Sequence, residues 1–336
     1  APTPVAEPLP SNADAGCFRY GIVTADPRMV DLMKTVERAA NSRLPILILG
    51  ESGVGKELLA RAAHAISERR EGVFVVSHCA ALPEGQLDVE LFGEESDVGT
   101  AGRNTRPGLF EAANRGVIFL DEVSELLTGA QAKLLRVIEN GELRRVGGVA
   151  LQQVDVRVIA ASTREVPSLV RRGLFRDDLY YRLNGIRLEV PPLRERPGDI
   201  RLIGAYLLER AGKQARKAIT LKEEAWALLE AHTWPGNVRE LRNVLDRVVA
   251  LGRDGDVAGP EAIQLPSPRA AAGRAGLRAR PSSKKEAGAE RETIVNALRL
   301  NRGNQSETAR SLNGMKRTTL LYKMKKHDIR PEEYGA

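Results

Sequence analysis

Two short stretches of the chain contain no polar side chain, residues 44–49 and 116–120. Unbroken apolar runs of this length are typical of parallel strands buried on both faces, because a strand with one face in water alternates apolar and polar positions. A glycine-rich segment follows the first run, and residues 57–69 then show the spacing of a helix. The pattern predicts an α/β domain in which parallel strands alternate with helices.

Helical spacing recurs along the rest of the chain. One amphipathic core helix is predicted by Leu126, Leu134, Leu135, Val137 and Ile138. Near the C-terminus, three short helices are predicted around residues 294–298, 304–312 and 317–326, with Gly314 in a turn. Residues 256–288 show no hydrophobic period and are rich in Pro, Ala, Gly and Ser, so they predict a flexible linker.

The glycine-rich segment is a candidate phosphate-binding loop. It consists of Gly50, Glu51, Ser52, Gly53, Val54, Gly55, Lys56 and Glu57. Its glycines let backbone N–H groups curl around phosphate oxygens, and the following helix directs the positive end of its dipole at them. Lys56 would meet the β- and γ-phosphates. Glu57 stands where Ser or Thr usually completes the loop for Mg²⁺, so a glycine-rich turn without a ligand remains the alternative.

Two adjacent carboxylates, Asp121 and Glu122, follow the second apolar run. Ligands bind at the carboxyl ends of parallel strands, so Asp121 is placed to hold Mg²⁺, directly or through water, and Glu122 to polarise an attacking water. A solvated acidic turn is the alternative. The pair follows a phosphate-loop pattern by sixty-odd residues, which favours a nucleotide site.

Composition narrows the class of protein. The chain has 336 residues, 42% of them hydrophobic, which suits two or three domains with a large core. No apolar stretch approaches the roughly 20 residues of a membrane span. Cys17 and Cys79 are too isolated for a disulfide framework or a metal site, and they favour a reducing cytoplasm and plain buried thiols. Because the first residue is not Met, we expect an N-terminal regulatory domain to be missing.

Positive charge is concentrated near the C-terminus. Residues 269–330 carry 16 Lys or Arg against 5 Asp or Glu, whereas the whole chain has a net charge of +7. A basic module attached to a mildly acidic body is typical of nucleic-acid-binding proteins. The last predicted helix and the residue before it supply the candidate DNA contacts, with the alternative of a solvated basic helix: Lys316, Arg317, Thr318, Thr319, Tyr322, Lys323, Lys325 and Lys326.

Taken together, these motifs resemble the bacterial enhancer-binding proteins, the sigma-54-dependent NtrC-like family, over about residues 17–330. Residues 50–57 are similar to the family's phosphate loop and residues 116–122 to its Walker B strand. Further resemblances occur in family order, at residues 90–93, 141–148, 156–163 (sensor I), 175–183 (arginine finger) and 234–241 (sensor II).

The resemblance implies a domain organisation. We expect an N-terminal linker remnant over residues 1–16 and an AAA+ α/β core with a parallel sheet over 17–190. A helical lid over 191–255, the linker over 256–288 and a Fis-type helix-turn-helix over 289–330 follow. The lid helices, for example residues 200–208 and 225–231, would close over the nucleotide.

It also implies roles for individual residues. Arg176 and Arg182 would reach the γ-phosphate of a neighbouring subunit in a hexameric or heptameric ring. Arg239 would lie against the nucleotide of its own subunit, with Asn237 capping the helix that carries it. Ile22 and Val23 would pack on adenine, although ordinary core positions are an equal alternative.

Three positions depart from the family's pattern. The loop that reads GAFTGA in the family falls on residues 97–102 here, where Gly99 replaces the aromatic residue and only Thr100 is kept. His78 and Thr163 stand where the family has Asn; we expect His78 to hydrogen-bond Glu122 and Thr163 to orient water with one hydroxyl. These changes predict a weakened or differently coupled ATPase.

Two functions from different classes are consistent with the sequence. The first is an ATP-hydrolysing activator that binds promoter or enhancer DNA and remodels an RNA polymerase holoenzyme, in response to a signal. The second is a repressor or activator of sigma-70-type promoters in which ATP only controls assembly. The altered loop is the feature that discriminates between them, and it argues against remodelling of sigma-54.

Overall fold

The computed structural model describes residues 17–80, 85–97, 103–265, 284–301, 303–311, 317–327 and 329. The chain forms two compact units, Ala1–Leu265 and Pro266–Ala336. The strands of the first unit are β1 (Cys17–Arg19), β2 (Ile22–Thr24), β3 (Ile46–Leu49), β4 (Phe74–His78), β5 (Glu94–Asp97), β6 (Arg103–Arg106), β7 (Val117–Asp121), β8 (Glu142–Arg144), β9 (Leu151–Gln153), β10 (Arg157–Ser162), β11 (Ile186–Glu189), β12 (Thr220–Leu221) and β13 (Val257–Ala258). Its helices are α1 (Pro27–Ala39), α2 (Lys56–Ile66), α3 (Gln86–Phe92), α4 (Leu109–Ala112), α5 (Thr128–Asn140), α6 (Val166–Arg171), α7 (Asp177–Leu183), α8 (Pro197–Ala215), α9 (Glu223–Ala231) and α10 (Asn237–Leu251).

A five-stranded sheet with the order β11-β3-β10-β7-β4 forms the centre of this unit. All four strand pairs are parallel, and Ile159 of β10 lies opposite both Ile46 of β3 and Phe119 of β7. The two unbroken apolar runs therefore become β3 and β7, inner strands on either side of β10. The prediction of a parallel α/β sheet is confirmed.

The sheet is covered on both faces, which explains the unbroken runs. Along β3, Ile46 and Ile48 pack into the layer that contains α1 and α2. Leu47 and Leu49 pack into the opposite layer, which contains α5 and α7. Successive side chains of a strand point to opposite faces, so a strand without a solvent face needs an apolar residue at every position.

The helices α8, α9 and α10 form a lid with an apolar core of its own, built around Trp226, Trp234 and Leu245. This core includes Ile263 and is contacted by Leu265, and β12 pairs with β13. The lid thus extends to Leu265, past the boundary predicted at residue 255. The local pattern does not indicate this extension, because β13 has only two residues and the rest of the segment has no regular period.

Three strand pairs among the described residues are antiparallel, β1–β2, β5–β6 and β8–β9. The hairpin β8–β9 follows α5, and the hairpin β5–β6 follows α3. In the second hairpin Asp97 pairs with Arg103. The loop predicted to correspond to GAFTGA therefore connects β5 to β6, but its residues 98–102 lie outside the described residues.

The second unit contains three described helices, α11 (Lys284–Leu300), α12 (Gln305–Ser311) and α13 (Arg317–Lys326). Their shared core consists of Ile294, Val295, Leu298, Ala309, Leu320, Met324 and Ile329. This is the three-helix arrangement that the sequence predicted, although α11 begins before the expected residue 289. Within the described residues, no helix is long and apolar enough to span a membrane.

Candidate functional site

The glycine-rich loop runs from the carboxyl end of β3 into the first turn of α2. Gly53 and Gly55 have φ angles of +80° and +105°, which L side chains rarely adopt. Gly55 is the N-cap of α2 and offers no capping side chain, so the first N–H groups of that helix remain available to a ligand. A helix N-terminus of this kind favours an anion.

Lys56 begins α2, and its side chain is only 7% exposed. Its Nζ donates hydrogen bonds to the carbonyl oxygens of Gly50 (2.8 Å) and Glu51 (3.2 Å) and lies 3.7 Å from Oε1 of Glu122. Burial lowers the pKa of this ammonium group, and the carboxylates of Glu122 and Asp121 act in the opposite direction. The lysine is therefore held between the loop and the two carboxylates that the sequence singled out.

Asp121 ends β7, and its Oδ2 lies 3.2 Å from Nδ1 of His78. The two residues are register partners on the neighbouring parallel strands β4 and β7, so their side chains leave the sheet on the same side. We predicted that His78 would hydrogen-bond Glu122, and this is wrong. Glu122 lies one residue beyond the paired part of β7, and the register places His78 opposite Asp121.

Glu122 is held by Thr163 instead. The backbone of Glu122 is left-handed (φ +57°), an uncommon conformation for a residue with a side chain. One carboxylate oxygen accepts hydrogen bonds from the backbone N–H (3.1 Å) and the hydroxyl (2.9 Å) of Thr163, the residue after β10. The hydroxyl that was predicted to orient water thus binds the carboxylate predicted to polarise it, and this contact joins the ends of β7 and β10.

Glu57, the last residue of the loop, lies in the first turn of α2. Its carboxylate accepts hydrogen bonds from Nε (2.9 Å) and NH2 (2.7 Å) of Arg61, one turn further along the helix. In the described part of the chain, no group of three or more His, Cys, Asp or Glu side chains could hold a metal ion. Asp121 can therefore supply only part of a Mg²⁺ coordination sphere. Phosphate oxygens and water would have to complete it, which is how Mg²⁺ usually binds with nucleotides.

The lid approaches the loop closely. Arg194 NH1 and NH2 donate to the two carboxylate oxygens of Glu51 (2.8 and 2.7 Å). The backbone N–H of Arg239 donates to the carbonyl of Gly53 (3.3 Å), and Arg239 NH1 donates to the Ser52 hydroxyl (2.9 Å). The predicted sensor II arginine thus contacts the phosphate loop of its own chain.

Asn237 does not cap α10, contrary to the prediction from sequence. It is fully buried, and its side chain points to the loop, where Nδ2 donates to Glu51 Oε2 (3.0 Å) and to the Ser52 carbonyl (3.1 Å). Its Oδ1 accepts from the backbone N–H of Leu193 (2.8 Å). The N-cap position is Gly236, which has no side chain to serve as a cap.

A buried charged network between the lid and β2 was not predicted. Asp199 is fully buried and accepts hydrogen bonds from the Thr24 hydroxyl (2.6 Å) and from the backbone N–H groups of Ala25 (2.6 Å) and Asp26 (3.2 Å). Arg196 lies 3.4 Å from Asp199, and its NH2 donates to the Val54 carbonyl (3.2 Å). Its burial lowers the pKa of the guanidinium, and the Asp199 carboxylate acts in the opposite direction. The only sequence signal was the density of charge in residues 194–199.

Ile22 and Val23 line a cavity of about 350 Å³ between the loop and the lid. Ile22 belongs to the core layer around α2, whereas Val23 packs against the lid core. Met29, Val54, Ile203 and Leu207 add further apolar surface. The cavity is mostly apolar and adjoins the phosphate loop, as a site for a nucleobase requires.

The two predicted arginine fingers are at α7: Arg176 is its N-cap residue and Arg182 is in its last turn. Arg176 is the residue before the helix, and its guanidinium forms a bidentate pair with Asp178 (3.0 and 2.7 Å). Arg182 is exposed. Neither forms a hydrogen bond or ion pair with the loop, Asp121 or Glu122 among the described residues. The structure of one chain therefore does not bring the predicted arginine fingers into its own site.

Cys79 follows His78 and is 3% exposed, and its backbone N–H donates to the Asp121 carbonyl (2.9 Å). Burial raises the pKa of this thiol to about 12. It is the plain buried thiol that the sequence predicted.

In the second unit, α13 directs Leu320 and Met324 into the three-helix core. On the same helix Arg317 and Thr319 are exposed and Lys323 is half-buried. Arg317 NH2 donates to Gln305 Oε1 at the start of α12 (3.2 Å). Lys316 and the side chains of Thr318, Tyr322, Lys325 and Lys326 lie outside the described part of the structure. Asn304 caps α12, since its Oδ1 accepts from the backbone N–H of Ser306 (3.1 Å).

Three family models match the chain in sequence order. Residues 22–189 match the Sigma-54 interaction domain, residues 194–270 the AAA+ ATPase lid domain, and residues 288–327 the bacterial regulatory protein, Fis family.

Curated relatives cover these segments together. The chain is 41% identical over 318 residues to the regulatory protein AtoC of Escherichia coli (strain K12), covering 93% of this chain and 68% of AtoC. It is 45% identical over 240 residues to the Nif-specific regulatory protein of Azotobacter vinelandii, covering 71% of this chain but only 46% of that protein. The chain thus spans between about half and two thirds of these relatives.

Solved structures agree with the fold. NtrX from Brucella abortus, in a crystal structure in complex with ATP, superposes with a TM-score of 0.66 at 32% identity, over 92% of this chain and 69% of that one. A crystal structure of the same protein in complex with ADP gives a TM-score of 0.68 at 33% identity, over 92% of this chain and 70% of that one.

Proposed function

The chain belongs to the NtrC-like family of sigma-54-dependent transcriptional regulators, and on that basis we propose that it binds and hydrolyses ATP between the glycine-rich loop and the lid and binds double-stranded DNA through α13. The observation that carries the nucleotide site is the position of Lys56, a buried cation held beside a helix N-terminus and two strand-end carboxylates. The solved structures of NtrX with ATP and with ADP support this proposal.

The residues of the site divide the chemistry between them. The N–H groups of the loop from Gly50 to Glu57 and the Lys56 ammonium bind phosphate oxygens, and Ile22 and Val23 pack on the adenine ring. Asp121 would supply a ligand to Mg²⁺, which would neutralise charge on the phosphates. Glu122 polarises the attacking water, and Thr163 fixes the orientation of its carboxylate. Arg239 lies against the phosphates of the nucleotide that is bound to its own chain.

Hydrolysis would require a second copy of the chain. Arg176 and Arg182 would stabilise transition-state charge on the nucleotide of a neighbour, in a hexameric or heptameric ring. The Arg176–Asp178 ion pair would then have to open, which costs little because both side chains are 40% or more exposed.

The nucleotide site is tested by the substitution Lys56→Ala. Charge-assisted hydrogen bonds to phosphate are lost, so the Kd for a fluorescent ATP analogue should rise at least about tenfold. The control is Lys34→Ala on α1. It removes an exposed lysine that pairs with Asp31 of the same helix α1, and it should leave the Kd unchanged. An unchanged affinity in Lys56→Ala would overturn the assignment of the phosphate loop.

The partner follows from the family, since the matched core is a sigma-54 interaction domain. We propose the RNA polymerase holoenzyme that contains sigma-54 as the target. The alternative is a non-remodelling regulator of sigma-70-type promoters, and one observation favours it: Gly99 occupies the aromatic position of the loop. Burial of one aromatic side chain contributes roughly 1.5–3 kcal/mol, and several subunits of a ring would share that contact.

Rewriting the loop tests the two alternatives. With a transition-state nucleotide analogue bound, the alternative predicts that the natural chain forms no stable complex with sigma-54, whereas a variant with residues 97–102 replaced by GAFTGA does, with DNA binding unchanged. A stable complex of the natural chain with sigma-54 would contradict the expectation from Gly99 and support the sigma-54 holoenzyme as the target. Failure of both proteins to bind sigma-54, together with activation of the housekeeping holoenzyme, would favour the alternative.

A further inference from the structure

Every carbonyl oxygen from Gly50 to Val54 in the phosphate loop accepts a hydrogen bond from outside the loop backbone. Lys56 Nζ binds the first two, at Gly50 and Glu51. The other three partners are Asn237 Nδ2 for Ser52, the backbone N–H of Arg239 for Gly53, and Arg196 NH2 for Val54. A peptide group is planar, with C=O and N–H pointing in opposite directions, so fixing these carbonyls also fixes the N–H groups that follow them. The N–H groups of Gly53, Val54 and Gly55 therefore point away from the donors that hold the carbonyls of Ser52, Gly53 and Val54.

Three of these five carbonyls are held from the lid side of the molecule. Asn237 and Arg239 lie in the first turn of α10, and Arg196 precedes α8. The loop is shaped for this approach at Gly53. A Cβ atom there would come within 2.4 Å of the Gly236 carbonyl oxygen and 3.0 Å of the Arg239 Cβ. Only glycine lets the lid and the loop come this close.

Asn237 is the central member of the group. It is fully buried, and its backbone φ of +51° is one that Asn tolerates better than most residues. Its amide connects three elements: Nδ2 donates to Ser52 and to Glu51, and Oδ1 accepts from Leu193. Glu51 is in turn paired with Arg194. Both polar atoms of the buried Asn237 amide are thus used in hydrogen bonds, and such a network favours one arrangement of the groups that it joins.

We propose that Asn237 is a positioning residue that shapes the phosphate loop from the lid side, so that the affinity of the loop for phosphate depends on the lid. This inference rests on the proposed ATP site. Phosphate oxygens would compete with the carbonyls of Gly50 and Glu51 for the Lys56 ammonium. The lid-side donors hold the other three carbonyls of the loop. By linkage, binding of phosphate in turn stabilises the contact between lid and loop.

The sharpest substitution is Asn237→Asp. It preserves the shape of the side chain, suits the left-handed backbone and keeps the oxygen that accepts from Leu193. It replaces the donor by an acceptor that faces the Ser52 carbonyl and the Glu51 carboxylate. We expect the Kd for ATP and for ADP to rise about tenfold or more, because an acceptor is left without its donor beside a like charge.

Adenosine separates positioning from general damage. It fills the base cavity but carries no phosphate, so its affinity, measured by calorimetry, should be unchanged in Asn237→Asp. Adding Glu51→Gln to this variant places a donor opposite the introduced carboxylate, and part of the ATP affinity should return. The matched control is Asn114→Asp, the same chemical change at an exposed residue whose Oδ1 accepts from the backbone N–H of Asp155. It should leave ATP affinity unchanged.

Hydrogen exchange of the natural chain supplies a test that needs no variant. The Leu193 N–H donates to Asn237 Oδ1, and the Arg239 N–H donates to the Gly53 carbonyl. ADP should slow hydrogen exchange at these two amides, whereas adenosine should not. The inference is overturned if Asn237→Asp binds ATP like the natural chain, if it loses adenosine and ATP equally, or if ADP and adenosine protect these amides alike. A natural chain that binds no ATP would instead refute the proposed function.

Discussion

At the scale of single residues, sequence identified the chemical groups of the site but not all of their partners. Lys56, Asp121 and Glu122 lie together as the motifs predicted, because each is fixed by its position at the end of a strand or the start of a helix. His78 and Asn237 were assigned wrong partners. The partner of His78 is set by the register between β4 and β7, and the partners of Asn237 are set by the approach of the lid to the loop. The local spacing of residues in the sequence indicates neither of them.

Two glycines of the loop offer a prediction at this scale. Gly53 and Gly55 both have positive φ, so alanine at either position costs about 1–2 kcal/mol of backbone strain. Only at Gly53 would the new Cβ also meet a backbone oxygen; at Gly55 nothing lies within 4 Å. Gly53→Ala should therefore lower the midpoint of thermal unfolding and the affinity for ATP more than Gly55→Ala does. Equal effects would contradict the close contact between Gly53 and the lid.

At the scale of elements, the strands that are buried on both faces were the easiest to predict from the sequence. The inner strands β3 and β7 were visible as apolar runs because both of their faces are covered. The edge strands β4 and β11 keep several partly or fully exposed side chains, so they lack that pattern. The short pair β12–β13 was missed, and with it the true end of the lid. In the second unit, the positions of Leu320 and Met324 agree with the predicted helix, since both face its core.

The helix α13 gives a prediction about DNA. Lys323→Ala combined with Lys325→Ala should weaken binding to all sequences and flatten the dependence of the affinity on salt, because fewer counterions are released. Thr319 is exposed on this helix, and Thr319→Ala should change sequence preference with little effect on the salt dependence. Fluorescence anisotropy with several duplexes at several salt concentrations measures both effects. An affinity that ignores salt in the natural chain would contradict the assignment.

At the scale of the whole molecule, we expect one chain by itself to be incomplete as an ATPase. The loop, the carboxylates and the lid contacts are all supplied by a single chain. Among the residues that the structure describes, the arginines of the α7 segment form no hydrogen bond or ion pair with that site, and Arg176 is paired with Asp178. Sequence resemblance suggested that these arginines act on a neighbour, and the geometry of one chain is compatible with this role.

The most direct measurement is ATP turnover in a mixture of two variants. Glu122→Gln keeps the arginines but lacks the carboxylate that we propose polarises water, whereas the double variant Arg176→Ala, Arg182→Ala keeps the site but lacks the arginines. Each should be nearly inactive alone. An equal mixture should recover about a quarter of the natural turnover, since half of the subunits keep the site and half of their neighbours keep the arginines in a ring with random composition. No recovery on mixing, or full turnover by the arginine variant alone, would contradict the account.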